Sequence, residues 1–302
     1  MIKTKLAKAV SMAVAGVALS AGASTASAHV MYNTFTTTAA SATDGWNYTF
    51  DGPDVDTIAT GPESGGYQGT QVPWLGTAGG ALPFGYTGRA HLNWAAAIHG
   101  PGTLEVSAAD ALADYGVAAE IDTGAGAWKD NGLDANGVPT ATGPTGWKHQ
   151  IDMGLIKSDI STVLRLNLTS LGTINGNFGV TVFKGMDTTN SVAYSHHGSW
   201  NNTGKPENTS NPFYNTGVGS GMEYLTHDAS VDAVNYLEFF AEAGQVYTIA
   251  LGGNGVGRWN ANVSGYELSI AAVPVPGAVW LFGSAMVGMI GFGSRRKSAV
   301  AA

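Results

Sequence analysis

The sequence predicts a mainly β protein: an antiparallel, jelly-roll-like β-sandwich with one or two short helices. Three observations carry that prediction. Apolar and polar residues alternate over short runs, and clusters of turn-forming residues separate those runs. Glycine occupies 43 of 302 positions, about twice its usual share of ~7%. No fixed-period repeat and no charge run divides the chain. Residues 29–272 therefore read as a single β-sandwich domain set between two terminal targeting segments.

The elements follow in order. Ser107-Ala-Ala-Asp110 has the form of a helix N-terminal cap. Ala108 to Tyr115 can propagate one helix, which Gly116 can end. Leu164, Leu166 and Leu168 alternate with Arg165 and Asn167, the two-residue period of a half-buried strand. Residues 178–183 follow the turn-like Asn175-Gly176-Asn177, which predicts a hairpin between the two runs. Residues 236–241, 245–251 and 266–271 supply three more strands, parted by Ala243-Gly244 and by a loop over 252–257. Residues 123–146 and 200–221 read as long loops.

The termini read as addresses. Lys3, Lys5 and Lys8 give a basic start, residues 9–22 are small and apolar, and Ala26-Ser27-Ala28 supplies a small-X-small cleavage frame. Residues 1–28 thus have the layout of a secretory signal peptide, and cutting there makes His29 the first mature residue. At the other end Pro274, Pro276 and Gly277 lead into an apolar run over 278–292, closed by Arg295, Arg296 and Lys297. The prolines bar a helix from starting upstream, and the trailing cations favour the cytoplasmic side of a membrane. The run is short of the ~20 residues of a permanent anchor. Residues 273–302 resemble the PEP-CTERM sorting tail of Gram-negative bacteria that make an exopolysaccharide matrix, with Val275 where that family most often carries Glu. The resemblance implies an exosortase-type processing enzyme as partner and transient anchoring through a transmembrane helix. It also implies a destination at the cell surface, outer membrane or extracellular matrix, with exopolysaccharide as a further partner.

Composition narrows the function. Six of the fourteen cations lie in the two targeting segments, whereas all twenty-two carboxylates lie from Asp44 to Glu267, so the domain carries a net −14. Such a surface does not attract nucleic acid or other polyanions. With no cysteine, an exported chain has no disulfide, thiolate ligand or thiol nucleophile. There is no G-x-S-x-G elbow and no P-loop. The glycines at 252–257 have no following Lys-Ser/Thr and read as a turn. The chain reads as non-catalytic.

The seven histidines, His29, His91, His99, His149, His196, His197 and His227, all fall in the mature region. Imidazole is then the best borderline ligand present for copper or zinc. In Trp147-Lys148-His149 the outer residues sit at i and i+2, so an extended segment projects both to one face. His91 and His99 are eight apart. A helix there would separate them by roughly 12 Å along its axis, so at most one belongs to a mononuclear site. Adjacent His196 and His197 face opposite ways on a strand, and joint ligation by them requires a loop, which Gly198 permits.

Residues 88–200 resemble the surface copper-binding proteins of methane-oxidising bacteria, the CorA/MopE type. There histidines hold copper close to a tryptophan oxidised to kynurenine. Gly146-Trp147-Lys148-His149 matches the Trp-X-His element, which implies Trp147 as the oxidisable aromatic and His149 as a copper ligand. His91, in Arg89-Ala-His-Leu-Asn-Trp94, is taken as the upstream ligand. Two other functions compete. One is a structural matrix protein that binds no metal and meets polysaccharide or neighbouring subunits through aromatic surface. The other starts from His29, because cleavage before it pairs a free amine with an imidazole. That pairing resembles half of the histidine brace of copper polysaccharide monooxygenases, with His91, His99 or His149 able to supply the second imidazole.

Overall fold

A computed structural model describes residues 28–36, 44–49, 70–88, 91–141 apart from 135, 150–188 apart from 173, 175 and 176, and 221–273 apart from 256. Residues 1–27 and 274–302, which carry the expected signal peptide and sorting tail, lie outside these residues, as do Trp147, His149, His196, His197 and most of the 200–221 segment. No helix among the described residues is long and apolar enough to cross a membrane.

Two sheets carry the fold, as the sequence predicts. The larger contains seven strands in the order β2-β1-β3-β6-β11-β8-β9. Its strands are β1 (His29–Asn33), β2 (Trp74–Leu75), β3 (Trp94–Ile98), β6 (Asp152–Ser158), β8 (Phe178–Lys184), β9 (Glu223–Val231) and β11 (Val246–Gly253). The smaller runs β10-β7-β12-β4, with β4 (Gly102–Val106), β7 (Thr162–Ser170), β10 (Leu237–Ala241) and β12 (Ser264–Val273). A short β5 (Asp122–Thr123) adds to β12. The α-helix α1 (Ala108–Tyr115) begins where expected: Ser107 Oγ accepts the Asp110 N–H at 3.1 Å, and Gly116 closes it in the left-handed conformation at φ 71°.

Two expectations change. The larger sheet is mixed, because β3 and β6 run parallel. A parallel pair needs a long crossover, and here the chain leaves β3 for β4, α1 and β5 before it returns as β6. The hairpin expected around Asn175 does not form. β7 pairs with β10 and β12, whereas β8 pairs with β11 and β9. The segment between β7 and β8 changes sheets, and turn-forming residues serve that connection as readily as a hairpin.

The core lies between the sheets. Leu164, Leu166 and Leu168 of β7 are buried in one cluster with Trp94, Ala96 and Ile98 of β3. Burying each such side chain contributes about 1.5–3 kcal/mol. The larger sheet is also covered on its other face, where Met31, Trp74, Ala95, Met153 and Phe183 of its strands cluster with Trp46, Tyr86 and Trp128. Strand β3 is therefore buried along its whole length, and both of its ends open onto histidines.

Candidate metal centre

The chain enters β3 through His91-Leu92-Asn93. His91 is fully buried, and its Nε2 lies 2.7 Å from the Ile151 carbonyl oxygen. A carbonyl only accepts, so Nε2 carries the proton and Nδ1 is the ring's lone-pair atom. Ligating histidines generally have this arrangement, in which the second ring nitrogen is fixed by a carbonyl or carboxylate. Ile151 is two residues past His149, a covalent reach of at most about 7 Å. The backbone around it is pinned: Asn93 and Met153 exchange bonds of 2.8 Å (N–H to O) and 3.1 Å (Met153 N–H to Asn93 Oδ1), and Thr123 Oγ1 donates to the Gln150 carbonyl at 2.5 Å.

A group of acids, of which Asp44 and Asp152 are buried and Glu120 and Asp122 half-buried, adjoins this end of β3. Gly45, at φ 71°, turns the chain so that its carbonyl accepts the Leu92 N–H at 2.9 Å, while the Asn93 amide donates to Asp44. Asp152 Oδ2 accepts the Tyr266 hydroxyl at 2.7 Å, and that hydroxyl accepts the Trp94 indole N–H at 3.1 Å. Burial pushes the Asp44 carboxyl well above the usual carboxylate range, and the nearby Asp122 and Glu120 add to the rise. Burial does the same to Asp152, with Asp44 and Asp122 adding to it. These acids come from positions 44, 120, 122 and 152, and no local motif links them.

The other end of β3 presents His99. Its Nδ1 lies 2.6 Å from Asp159 Oδ2, and its ring lies 5.7 Å from that of His29, centroid to centroid, with the planes 25° apart. Register explains the grouping. His29 pairs with Ala97 across β1 and β3, and Ile98 pairs with Ser158 across β3 and β6. Three neighbouring strands thus bring His29, His99 and Asp159 to one end of the sheet.

The segment 94–98 is a strand, so the helical spacing considered for His91 and His99 does not apply. At ~3.3 Å per residue a strand sets them further apart, and the conclusion that they cannot share one metal stands. His227 stacks on Trp128 at 6.2 Å, and its Nδ1 is 2.5 Å from the Tyr224 hydroxyl. Among the described residues no group of three or more His, Cys, Asp or Glu side chains is placed to hold a metal ion.

No protein-family model and no curated protein matches the chain. One similar solved structure is the surface-associated copper-binding protein CorA of Methylomicrobium album BG8, described as important in that organism's copper acquisition. It is 11% identical over 57% of this chain and 93% of its own, with a TM-score of 0.31.

Proposed function

We propose that the mature chain is an exported, non-catalytic surface protein that binds copper through His91 and His149 beside an oxidisable Trp147. The observation that carries this reading is the hydrogen bond from His91 Nε2 to the Ile151 carbonyl. It orients a buried imidazole with Nδ1 as its lone-pair atom, through a carbonyl two residues past the Trp-X-His element. Copper supplies the reading's redox chemistry when bound. The chain's own contribution is to fix the imidazole and keep bulk water from it. An exosortase-type enzyme acting on 273–302 would place the domain at the surface or in the matrix.

The test is copper content of native, exported protein, with peptide mass mapping of residues 146–157. Copper should be present, and Trp147 should carry the mass of a ring oxidised by dioxygen. Both should be lost in His149→Ala. Unmodified Trp147 in copper-replete protein, with copper content unchanged in His149→Ala, refutes the reading.

A matrix protein without metal is the second reading. Tyr236 and Phe240 are 43% and 53% exposed and lie, with Glu238 between them, on the outer side of β10. Arg165 covers one face of the Tyr236 ring at 3.9 Å. Retention of native protein on matrix polysaccharide, lost in Phe240→Ser while copper is absent throughout, would favour that reading.

A further inference from the structure

We propose that Trp128, His227 and Tyr224 form a proton-coupled redox relay, which moves an oxidising equivalent from a buried indole to a phenol nearer the surface. The relay uses none of His29, His91, His99 and His149, and it stands whether or not the chain binds copper.

A bulge in β9 makes the grouping. Residues three apart on a regular strand face opposite sides. Thr226 pairs with Val182 and Tyr224 with Phe183, so Leu225 is an extra residue in β9. The bulge returns Tyr224 to the face that carries His227, which pairs with Thr181. Trp128 lies on that same face. Its indole N–H donates to Thr181 Oγ1 at 2.9 Å, and a Cβ on Gly179 would fall within its ring. The His227 ring stacks on the indole at 6.2 Å, centroid to centroid, and lies 5.9 Å from the Tyr224 ring.

Burial and hydrogen bonding give the relay its direction. Trp128 is 2% exposed, whereas Tyr224 and His227 are half-buried. The indole N–H meets a threonine hydroxyl, which is too weak a base to take its proton. The Tyr224 hydroxyl instead lies 2.5 Å from His227 Nδ1. A phenol is a stronger donor than a neutral imidazole, so the O–H donates and Nδ1 holds the lone pair. Of the two oxidisable rings, Tyr224 is the one with a base at its proton.

A one-electron oxidant, of the copper–peroxide or metal-polypyridyl class, takes an electron from the indole and is itself reduced. Tyr224 then supplies one electron to the indole radical cation, its O–H bond breaks, and the proton binds His227 Nδ1. The indole is restored, and Tyr224 is left as a neutral phenoxyl radical beside an imidazolium. A small thiol or enediol reductant returns one electron to Tyr224, and the proton moves back from His227 to the phenol oxygen. The chain has no cysteine to absorb oxidising equivalents, and Trp46, Trp74 and Trp128 lie in one buried cluster. Oxygen added to a buried ring overfills the core and leaves a polar group there. The relay keeps that damage out of the cluster by ending at a ring that solvent reaches.

The test is flash oxidation of the native protein by photogenerated tris(bipyridine)ruthenium(III), followed by transient absorption. A nitroso spin trap is added in a parallel run, and its adducts are located by peptide mass mapping. In the wild type an indole radical should decay as a phenoxyl radical grows, and the trap should be found on Tyr224. Tyr224→Phe should prolong the indole radical and move adduct and oxygen addition to Trp128. His227→Gln should slow growth of the phenoxyl radical and make it depend on buffer base concentration. Absence of the adduct from Tyr224 in the wild type overturns the proposal, and this result holds even where a variant fails to fold. Unchanged Trp128 oxidation in Tyr224→Phe, or unchanged phenoxyl growth in His227→Gln, at an unchanged thermal midpoint, also overturns it.

Discussion

The two ends of β3 hold their histidines in opposite ways. His91 is sealed from solvent, and its ring is fixed by a neutral backbone carbonyl. His99 is 20% exposed in its side chain and is fixed by a carboxylate. Both arrangements define which nitrogen bears the proton. They differ in what they give the lone pair: a carboxylate makes the opposite nitrogen a stronger donor, whereas a carbonyl chiefly sets its direction. The buried end also holds two acids, Asp44 and Asp152, whose carboxyls burial pushes well above the usual carboxylate range, whereas His99 adjoins Asp159 and His29. One strand thus presents a sealed imidazole held by a carbonyl and a partly exposed one held by a carboxylate.

Loss of the strand itself should abolish the distinction. Trp94→Ala removes a fully buried indole and its bond to Tyr266 and should cost about 3–5 kcal/mol. Equilibrium denaturation checks this, and both histidine ends should become disordered together. Gly154→Ala acts from β6, where a Cβ would fall within the Trp94 indole. We expect a loss of about 1–3 kcal/mol, read by the same denaturation.

The acids allow one end to be perturbed alone. The Asp152 carboxyl has a folded-state pKa raised above its unfolded value, so the folded state binds the extra proton. Stability from this group is full below the ordinary carboxylate value and is lost as pH rises through the raised folded value. Asp152→Asn keeps an acceptor for Tyr266 and removes the proton. Its melting midpoint should exceed that of the wild type in mildly alkaline buffer, and the gap should close as pH falls toward ordinary carboxylate values. A pH-independent gap would mean that Asp152 is not the titrating group. The smallest effect belongs to a residue remote from both histidines. Ser107→Ala removes the α1 cap and should cost about 1 kcal/mol, lowering the midpoint by roughly 2–4 °C.

Much of the fold was legible where one face of an element is wet. The leucines of β7 alternate because Arg165 and Asn167 face outward, and Ser107 and Gly116 mark both ends of α1. Strand β3 was illegible for the converse reason. With both faces covered, alternation disappears, and Ala95-Ala96-Ala97 carries the propensity of a helix. The histidines were visible as residue types, but their grouping was not. His29 and His99 are neighbours only through the β1–β3 register, and Asp159 only through the parallel β3–β6 pair. The acids at 44, 122 and 152 converge from three separate segments, which no spacing rule detects.

The smaller sheet has its last strand near its centre. β12 lies between β7 and β4 and ends at Val273. A chain made and moved from its N-terminus forward cannot complete that sheet, or close the core over β3, until residue 273 has emerged. Earlier segments can only wait, and contacts so distant in sequence form slowly. Such a topology makes completion of the smaller sheet wait on the last residues of the domain.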